Sequence, residues 1–418
     1  MAQLSDDCFA FGGDLLSISA ALALLEAQVT PQVETETVPL KEARGRILAA
    51  PLVAPRDVPP HDNAAVDGYA VFFDDLAASE PTTLPVGGRA AAGHALARAA
   101  RRGEAVRIFT GAPMPEGPDT VLMQEDCSEA EGFVRIPAGI KRGANRRRAG
   151  EDAKAGATVL TPGRRLRPQE LGLAAALGCT GLPVYRRLRV AIFSTGDEVR
   201  DPGEDLPKGA IYDANRYVLH ALLSGLGADV TDVGILPDRA AAIRAALGAA
   251  ADGHDLILTS GGMSTGEEDH VKAAVEVLGR LHFWRLAIKP GRPVAMGQIG
   301  RVPFMGLPGN PVAVMVTFLM LARPLVLRLS GAVAAPPLRF RVTAGFDYKK
   351  RANRCEYVRA RLVRGAAGGW TAEKFPRDGA GILTSMIESD GLVELGEGVS
   401  RVAAGSAVEF LPFSEVIP

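Results

Sequence analysis

Between residues 189 and 329 the apolar positions follow two periods in turn. Strands are expected at 190–193 and 229–235, the apolar, partly β-branched run 256–259 reads as a buried strand, and each is followed by a segment with apolar positions at helical spacing, 215–226, 239–251 and 271–278. A further strand is expected over 281–288, then a hairpin-like pair around Val294 and Val302 and a helix over 312–329. Strands alternating with helices of this length predict a mostly parallel sheet with helices on both faces. After Pro336-Pro337 the period falls to two. Leu338, Phe340 and Val342 alternate with Arg339, Arg341 and Thr343, and the pattern recurs at 357–363, 392–395 and 407–411. A compact all-β C-terminal domain is the simplest account.

The first half is patterned differently. Ile18, Leu22, Leu25 and Val29 fall at helical steps and mark an amphipathic helix ended by Thr30-Pro31, while 41–50 reads as a second, shorter helix. From the strand-like 69–73 to about residue 140 the segments are short, rich in valine and broken by glycine and proline, the pattern of a small β domain. Helical spacing resumes over 164–177, with Pro168 in the first turn and Gly178 at the end. That segment could pair with the N-terminal helix, which would make the β domain an insertion.

Composition narrows the classes. A chain of 418 residues exceeds what one core usually serves, so roughly two to four domains are expected. With 47% hydrophobic and 23% charged residues it has a globular profile, and 47 glycines with 29 prolines indicate an ordered, turn-rich chain with substantial β content. A net charge of −1 argues against a general nucleic-acid or membrane surface. The four cysteines are far apart and the six histidines show no ligand spacing, so neither a disulfide framework nor a zinc site is suggested. No secretory signal and no apolar run of roughly 18 residues is seen, and the cytoplasm is the expected compartment.

In a doubly wound sheet, ligands bind at the carboxyl ends of the strands. The polar turns lie there: Ser194-Thr195-Gly196-Asp197-Glu198, Pro237-Asp238, the glycine loop from Ser260 and Gly261 through Gly262 and Ser264 to Asp269, Lys289-Pro290-Gly291-Arg292-Pro293, and Gly306-Leu307-Pro308-Gly309-Asn310-Pro311. A strand running into a glycine turn that opens a helix offers backbone N–H groups and a helix dipole to an anion. The acids Glu267, Glu268 and Asp269 would repel that anion unless a divalent cation lay between them. An ordinary βα loop with capping acids explains this loop alone equally well.

Carboxylates at Asp67, Asp152, Glu198, Asp238 and Asp269, with cations at Arg147, Lys289 and Arg292, suit phosphate or oxyanion transfer around a hard ion. No nucleophile with its base is apparent, so the pocket is expected to bind, polarise and position. Each residue also has a plainer reading. Asp67 before Gly68 could shape a turn, Thr110 could finish a strand, Asp238 could cap the helix after it, and Pro308 and Pro311 could stiffen a loop.

These residues resemble a known family. Asp62-Asn63-Ala64-Ala65-Val66-Asp67-Gly68-Tyr69-Ala70, Thr110-Gly111-Ala112-Pro113, residues 145–152, the Ser194 turn, residues 259–266, the Lys289 turn and residues 306–311 occur in the order of the molybdopterin molybdenumtransferases, the MoeA type related to the gephyrin E domain. The resemblance covers nearly the whole chain, although the C-terminal domain matches mainly in character. It implies a multidomain α/β and β fold: an elongated linking domain (14–50 and 145–178), an inserted β domain (51–144), a doubly wound α/β domain (179–332) and a C-terminal β-barrel-like domain (333–418). It implies insertion of molybdenum from molybdate into adenylylated molybdopterin, with Mg²⁺ present and AMP released.

Further implications concern the assembly and the site. A homodimer is implied, with the site lying between the α/β domain of one subunit and the β domain of the other; the adenylyltransferase and apo-molybdoenzymes are further partners. Asp67, Thr110, Asp152, Glu198, Asp238, Asp269 and Lys289 match positions tied to activity or ligand binding. Glu198 and Asp269 would take the cation, and Arg147, Ser260, Gly261, Gly262, Ser264, Arg285, Lys289, Arg292, Pro308 and Pro311 would contact substrate.

The chain departs from the family pattern at Arg285 and Arg292, where lysine is usual, and at Ala64, where serine is common. Charge is kept at the first two, but not its geometry. Two competing readings follow from the same resemblance. The α/β domain alone is similar to the adenylyltransferases of the preceding step, against which the long first half and C-terminal domain count. A gephyrin-like scaffold lacks here an obvious linker and fused partner domain.

Overall fold

The computed structural model describes residues 15–261, 270–333, 335–365 and 368–417. Contacts divide the described residues into two compact units, one drawn from those within 15–49, 162–167 and 182–417, the other from 50–161 and 168–181.

At the centre of the first unit is a six-stranded sheet in the order Asp229–Leu236, Arg189–Thr195, Leu256–Ser260, Val302–Leu307, Pro293–Ile299, Gly279–Arg285. The first four strands are mutually parallel, and Pro293–Ile299 runs against both of its neighbours. Alternate side chains go to opposite faces. Val190, Ile192, Leu256, Leu258, Met305 and Leu307 enter one core, whereas Ala191, Phe193, Ile257 and Phe304 enter the other. Helices Asn215–Leu226 and Pro311–Leu329 cover the first face, and Ala240–Gly253 and His270–Leu278 the second. Helix Pro311–Leu329 is long and apolar because nearly every position is enclosed, at roughly 1.5–3 kcal/mol per large aliphatic side chain removed from water. Its middle, Phe318–Ala322, is a π-helical turn.

The C-terminal strands close on themselves. Cys355–Arg364, Trp370–Lys374, Phe340–Ala344, Ala407–Pro412 and Gly391–Leu395 each pair with two others in a five-membered ring. Val342, Val358, Ala360, Val393 and Phe410 fill its interior. A two-residue strand, Ile288–Lys289, joins the ring in parallel to Cys355–Arg364, with Lys289 opposite Glu356.

The second unit holds another six-stranded sheet, in the order Thr120–Met123, Gly68–Val71, Ala105–Ile108, Thr82–Ala90, Phe133–Ile136, Ser128–Ala130. Helix Pro168–Ala176 brings Leu173, followed by Leu177, against Ala54, Val58 and Ala153 of the same unit. Helix Ile18–Gln28 buries Ala21 and Leu25 in the core of the first unit. The expected helix over 41–50 is absent. A single 3₁₀ turn, Leu40–Glu42, is followed by Gly45 at φ +76°, and Ile47 and Leu48 form bridges to Arg165 and Val184.

The amino end of the sheet is fastened by Asp255, whose carboxylate receives both terminal nitrogens of Arg186 at 2.7 and 2.8 Å and the Arg189 N–H at 2.8 Å. Burial pushes the Asp255 carboxyl up, but the Arg186 and Arg189 donors outweigh it and hold the group below the usual carboxylate range. A depressed folded-state pKa gives stability above the unfolded value that is lost as pH falls through the folded one. Asp255→Asn should therefore cost about 2 kcal/mol at neutral pH. In thermal melts the gap to wild type should begin to narrow as pH falls below about 4 and close only beneath the lowered folded-state pKa; a gap that stays constant from pH 7 down to the most acidic pH at which both proteins fold would refute this account.

Candidate active site

The central strands end in one row. Ser194, Ser260 and Leu307 are paired across Arg189–Thr195, Leu256–Ser260 and Val302–Leu307, so the turns that follow leave from a common edge. Beneath it the hydroxyls of Ser194, Thr195 and Thr259 are buried and have no hydrogen-bond partner among the described residues. Buried hydroxyls usually find one. The Ser260 hydroxyl donates to Pro308 O at 3.3 Å, and Gly261 N–H to Leu307 O at 3.3 Å.

Glu198 stands exposed on the first turn, with no ion-pair partner among the described residues. Its turn is anchored through Ile211 N–H, which donates to Glu198 O at 2.8 Å. The excursion that follows is held by Arg216, buried among Asp201, Asp213 and Asp232.

A cleft of about 600 Å³ opens between this edge and the C-terminal barrel. The sheet side contributes Glu198, Gly261, Lys289 and the 307–310 turn; the barrel side contributes Tyr348, Glu356, Arg359, Lys374, Arg377 and Asp378. Its charges fall into paired and unpaired groups. Lys374 meets Asp378 at 2.9 Å, and Glu356 is held by Arg354 and approached by Lys289 at 3.3 Å. Arg359 is nine-tenths buried, donates to Ser385 Oγ and Gly379 O, both at 3.1 Å, and has no carboxylate partner among the described residues. Burial lowers its pKa from the ordinary arginine value. Arg377 likewise has no ion pair there and lies over the Phe375 ring. Two guanidiniums without carboxylate partners among the described residues, beside a lysine, suit a tetrahedral oxyanion or a phosphate, which accept forked N–H donors.

The lysine turn is tightly built. Gly291 adopts φ +102°, and a Cβ there would lie 2.1 Å from Thr317 Oγ1 on the helix behind it. Only glycine fits that backbone and that gap.

The second unit presents its own cluster. Asp67 Oδ1 accepts from both Thr110 N–H and Thr110 Oγ1–H at 2.7 Å. Those two donors, helped by Arg107, hold the Asp67 carboxyl below the usual range. Gly68 makes the geometry possible, since a Cβ would stand 1.6 Å from Leu122 O across the ladder. The basic run 141–148 is partly neutralised within the unit. Arg146 pairs with Asp62 and Arg142 with Asp74 and Asp119, while Arg147 and Asp152 are exposed without such partners among the described residues.

Of the residues singled out from sequence, Glu198, Gly261, Lys289 and Pro308 line the cleft, and Ser260 and Pro311 line a smaller pocket that also reaches Glu198. Arg285 and Arg292 sit at the same end of the sheet, exposed and outside either lining. Asp238 follows Leu236 at the sheet edge, but it does not cap the next helix. Arg239 occupies the cap position of Ala240–Gly253 in extended backbone, and no side chain accepts there. Asp67, Thr110, Arg147 and Asp152 belong to the second unit. Gly262, Ser264 and Asp269 lie outside the described residues.

Sequence reasoning missed Tyr348, Glu356, Arg359, Arg377 and Asp378. A signal existed in Phe375-Pro376-Arg377-Asp378-Gly379, a charged turn between proline and glycine with the same grammar as the turns of the sheet edge.

Three family models cover the chain: the MoeA N-terminal region (domain I and II) at residues 16–178, the probable molybdopterin binding domain at 191–328, and the MoeA C-terminal region (domain IV) at 341–413. Among relatives, the Haemophilus influenzae molybdopterin molybdenumtransferase is 38% identical over 405 residues, covering 96% of this chain and 100% of its own. The Mycobacterium tuberculosis molybdopterin molybdenumtransferase 2 is 36% identical over 89% of this chain and 94% of its own. The crystal structure of the molybdopterin biosynthesis moeA protein from Pyrococcus horikoshii superposes with a TM-score of 0.82 at 29% identity, covering 96% and 100% of the two chains. Sequence and architecture agree along the length of the chain, which belongs to the molybdopterin molybdenumtransferase family of molybdenum cofactor biosynthesis.

Proposed function

We propose that this chain transfers molybdenum from molybdate to adenylylated molybdopterin in the cytoplasm, releasing AMP and molybdenum cofactor. The observation that supports this most is the cleft between sheet edge and barrel, where Lys289, Arg359 and Arg377 face Glu198 across about 600 Å³. That volume suits a ligand the size of a pterin nucleotide portion. In this reading Lys289, Arg359 and Arg377 hold oxyanion and phosphate oxygens, while the hydroxyls of Ser194 and Thr195, which have no hydrogen-bond partner among the described residues and line the smaller pocket, supply donors under the strand ends. Much of the rate then comes from placing two anions side by side, which cationic groups make affordable only in a confined site.

Among the described residues no group of three or more carboxylates, histidines or cysteines is arranged to hold a metal ion. Mg²⁺ commonly binds through one or two carboxylates together with substrate phosphates and water, so the exposed Glu198 carboxylate fits it. Glu198 would hold the ion, with Asp269 as the expected second ligand, and when bound it would neutralise phosphate charge.

The Asp67–Thr110 cluster is assigned to the same reaction. In a homodimer the second unit of one subunit would bring Asp67 to the cleft of the other, where its ionised carboxylate would orient substrate or water. Four domains, 14–50 with 145–178, 51–144, 179–332 and 333–418, would then be the working parts.

Purified protein given adenylylated molybdopterin, molybdate and Mg²⁺ should release AMP in proportion to molybdate and activate an apo-molybdoenzyme. AMP release that ignores molybdate would count against the transferase. Glu198→Ala should lower turnover roughly a hundredfold and abolish its Mg²⁺ dependence with the melting temperature unchanged; a variant that keeps the wild-type Mg²⁺ titration removes Glu198 from the ion. Thr110→Val deletes one of the two donors that depress the Asp67 pKa, so the acid limb of kcat/KM should move to higher pH. An acid limb that stays in place would show that Asp67 does not work as an anion.

A further inference from the structure

A carboxylate is an unexpected lining for a cleft that takes anions, yet Glu356 lies in the wall with its side chain 1% exposed. Its charge is already answered. Oε1 receives Arg354 Nε at 2.8 Å and Nη2 at 2.6 Å, and Oε2 receives the Tyr348 hydroxyl at 2.8 Å. Burial pushes the Glu356 carboxyl up, but Tyr348, Arg354 and Lys289 together hold it below the usual range. The group is thus fixed, ionised and locally compensated.

Lys289 is the opposite. Its side chain is 48% exposed and packing does not confine its four-carbon stem, which carries about 2 kcal/mol of rotamer entropy. Two features of the barrel restrain it. Its backbone is set by strand addition, with Lys289 opposite Glu356 and Cys355 N–H donating to Ala287 O at 2.7 Å. Its ammonium is set by Glu356 Oε2 at 3.3 Å and Tyr348 Oη at 3.4 Å. Both contacts are longer than a committed charge-assisted bond of about 2.8 Å. An ammonium has three donors, so one remains for a ligand while two lean on the wall.

We propose that Glu356, together with Tyr348, is a positioning residue that fixes where Lys289 presents its ammonium in the cleft. The barrel is therefore part of the anion site through a group that never touches the anion. The kinetic side of this inference rests on the transferase reading.

A structural ion pair tying the hairpin to the barrel would have the same coordinates, and the test separates the two. In Glu356→Gln, which keeps shape and removes charge, Lys289 is released. Labelling of intact protein with acetic anhydride, followed by mass spectrometry, should then modify Lys289 several-fold faster than in wild type. In the transferase assay kcat should fall about tenfold while KM for molybdate does not rise, because the misplaced ammonium costs orientation while Arg359 and Arg377 still attract anions. In a Lys289→Met background the same Glu356→Gln change should alter kcat by less than about twofold.

Tyr348→Phe, a milder change, should show the same pattern at smaller size. Unchanged Lys289 labelling in Glu356→Gln, or losses from Glu356 and Lys289 that simply multiply, would overturn the proposal. Absence of molybdate-dependent AMP release from wild type would overturn the transferase reading instead, and the labelling comparison would still decide the role of Glu356.

Discussion

The parallel register of three strands is the constraint on which the site depends. Because Ser194, Ser260 and Leu307 share one row, the turns after Arg189–Thr195, Leu256–Ser260 and Val302–Leu307 start at the same height above the sheet. A slip of one residue in any strand would exchange its two faces, sending Ile192 or Leu258 toward the opposite core. The apolar alternation that fills both cores therefore also fixes the height of the polar turns. Side chains such as Thr195 and Thr259, buried at that height without partners among the described residues, are tolerable only because the cores on either side leave no other register.

Charge is treated differently above the row and away from it. At the amino end of the sheet, Arg186 and Asp255 satisfy each other fully, and in the second unit Arg146 and Arg142 are matched by Asp62, Asp74 and Asp119. In the cleft, Arg359 and Arg377 are left without carboxylates among the described residues, and Glu198 without a cation. Unmatched groups of both signs within one cavity cost stability, and a ligand that carries anionic groups and a counter-ion offsets that cost.

The legible parts of the chain were those governed by a local period. Residues 189–329 were legible because strands and helices there differ in both period and length; Arg189–Thr195, Leu256–Ser260 and Val302–Leu307 are enclosed on both faces, whereas the edge strand Asp229–Leu236 has no buried position and the run 281–288 is two strands, Gly279–Arg285 and Ile288–Lys289. The strands of the C-terminal domain were legible from their period, whereas their closure was legible only through the family resemblance, which implied a barrel-like domain. Ring closure depends on Phe340–Ala344 pairing with Trp370–Lys374 on one side and Ala407–Pro412 on the other, and alternation within a strand carries no record of its neighbours. Residues 41–50 misled because Ile47 and Leu48 are apolar for bridges to Arg165 and Val184, not for a helix face. Arg359 and Glu356 were passed over for a related reason: on a barrel strand a charged residue at an alternate position reads as solvated, whereas here both are enclosed by the cleft wall.

The π-helical turn at Phe318–Ala322 sets the relation between the two ends of helix Pro311–Leu329. One extra residue in a turn advances the faces beyond it by about 100° relative to an uninterrupted α-helix. The amino end thereby keeps Ala313 toward the cleft while Leu325 and Leu329 stay in the core behind it. A chain shortened by a single residue there could regain regular hydrogen bonding and still be wrong, with one end of the helix rotated out of phase with the walls it was shaped to fill.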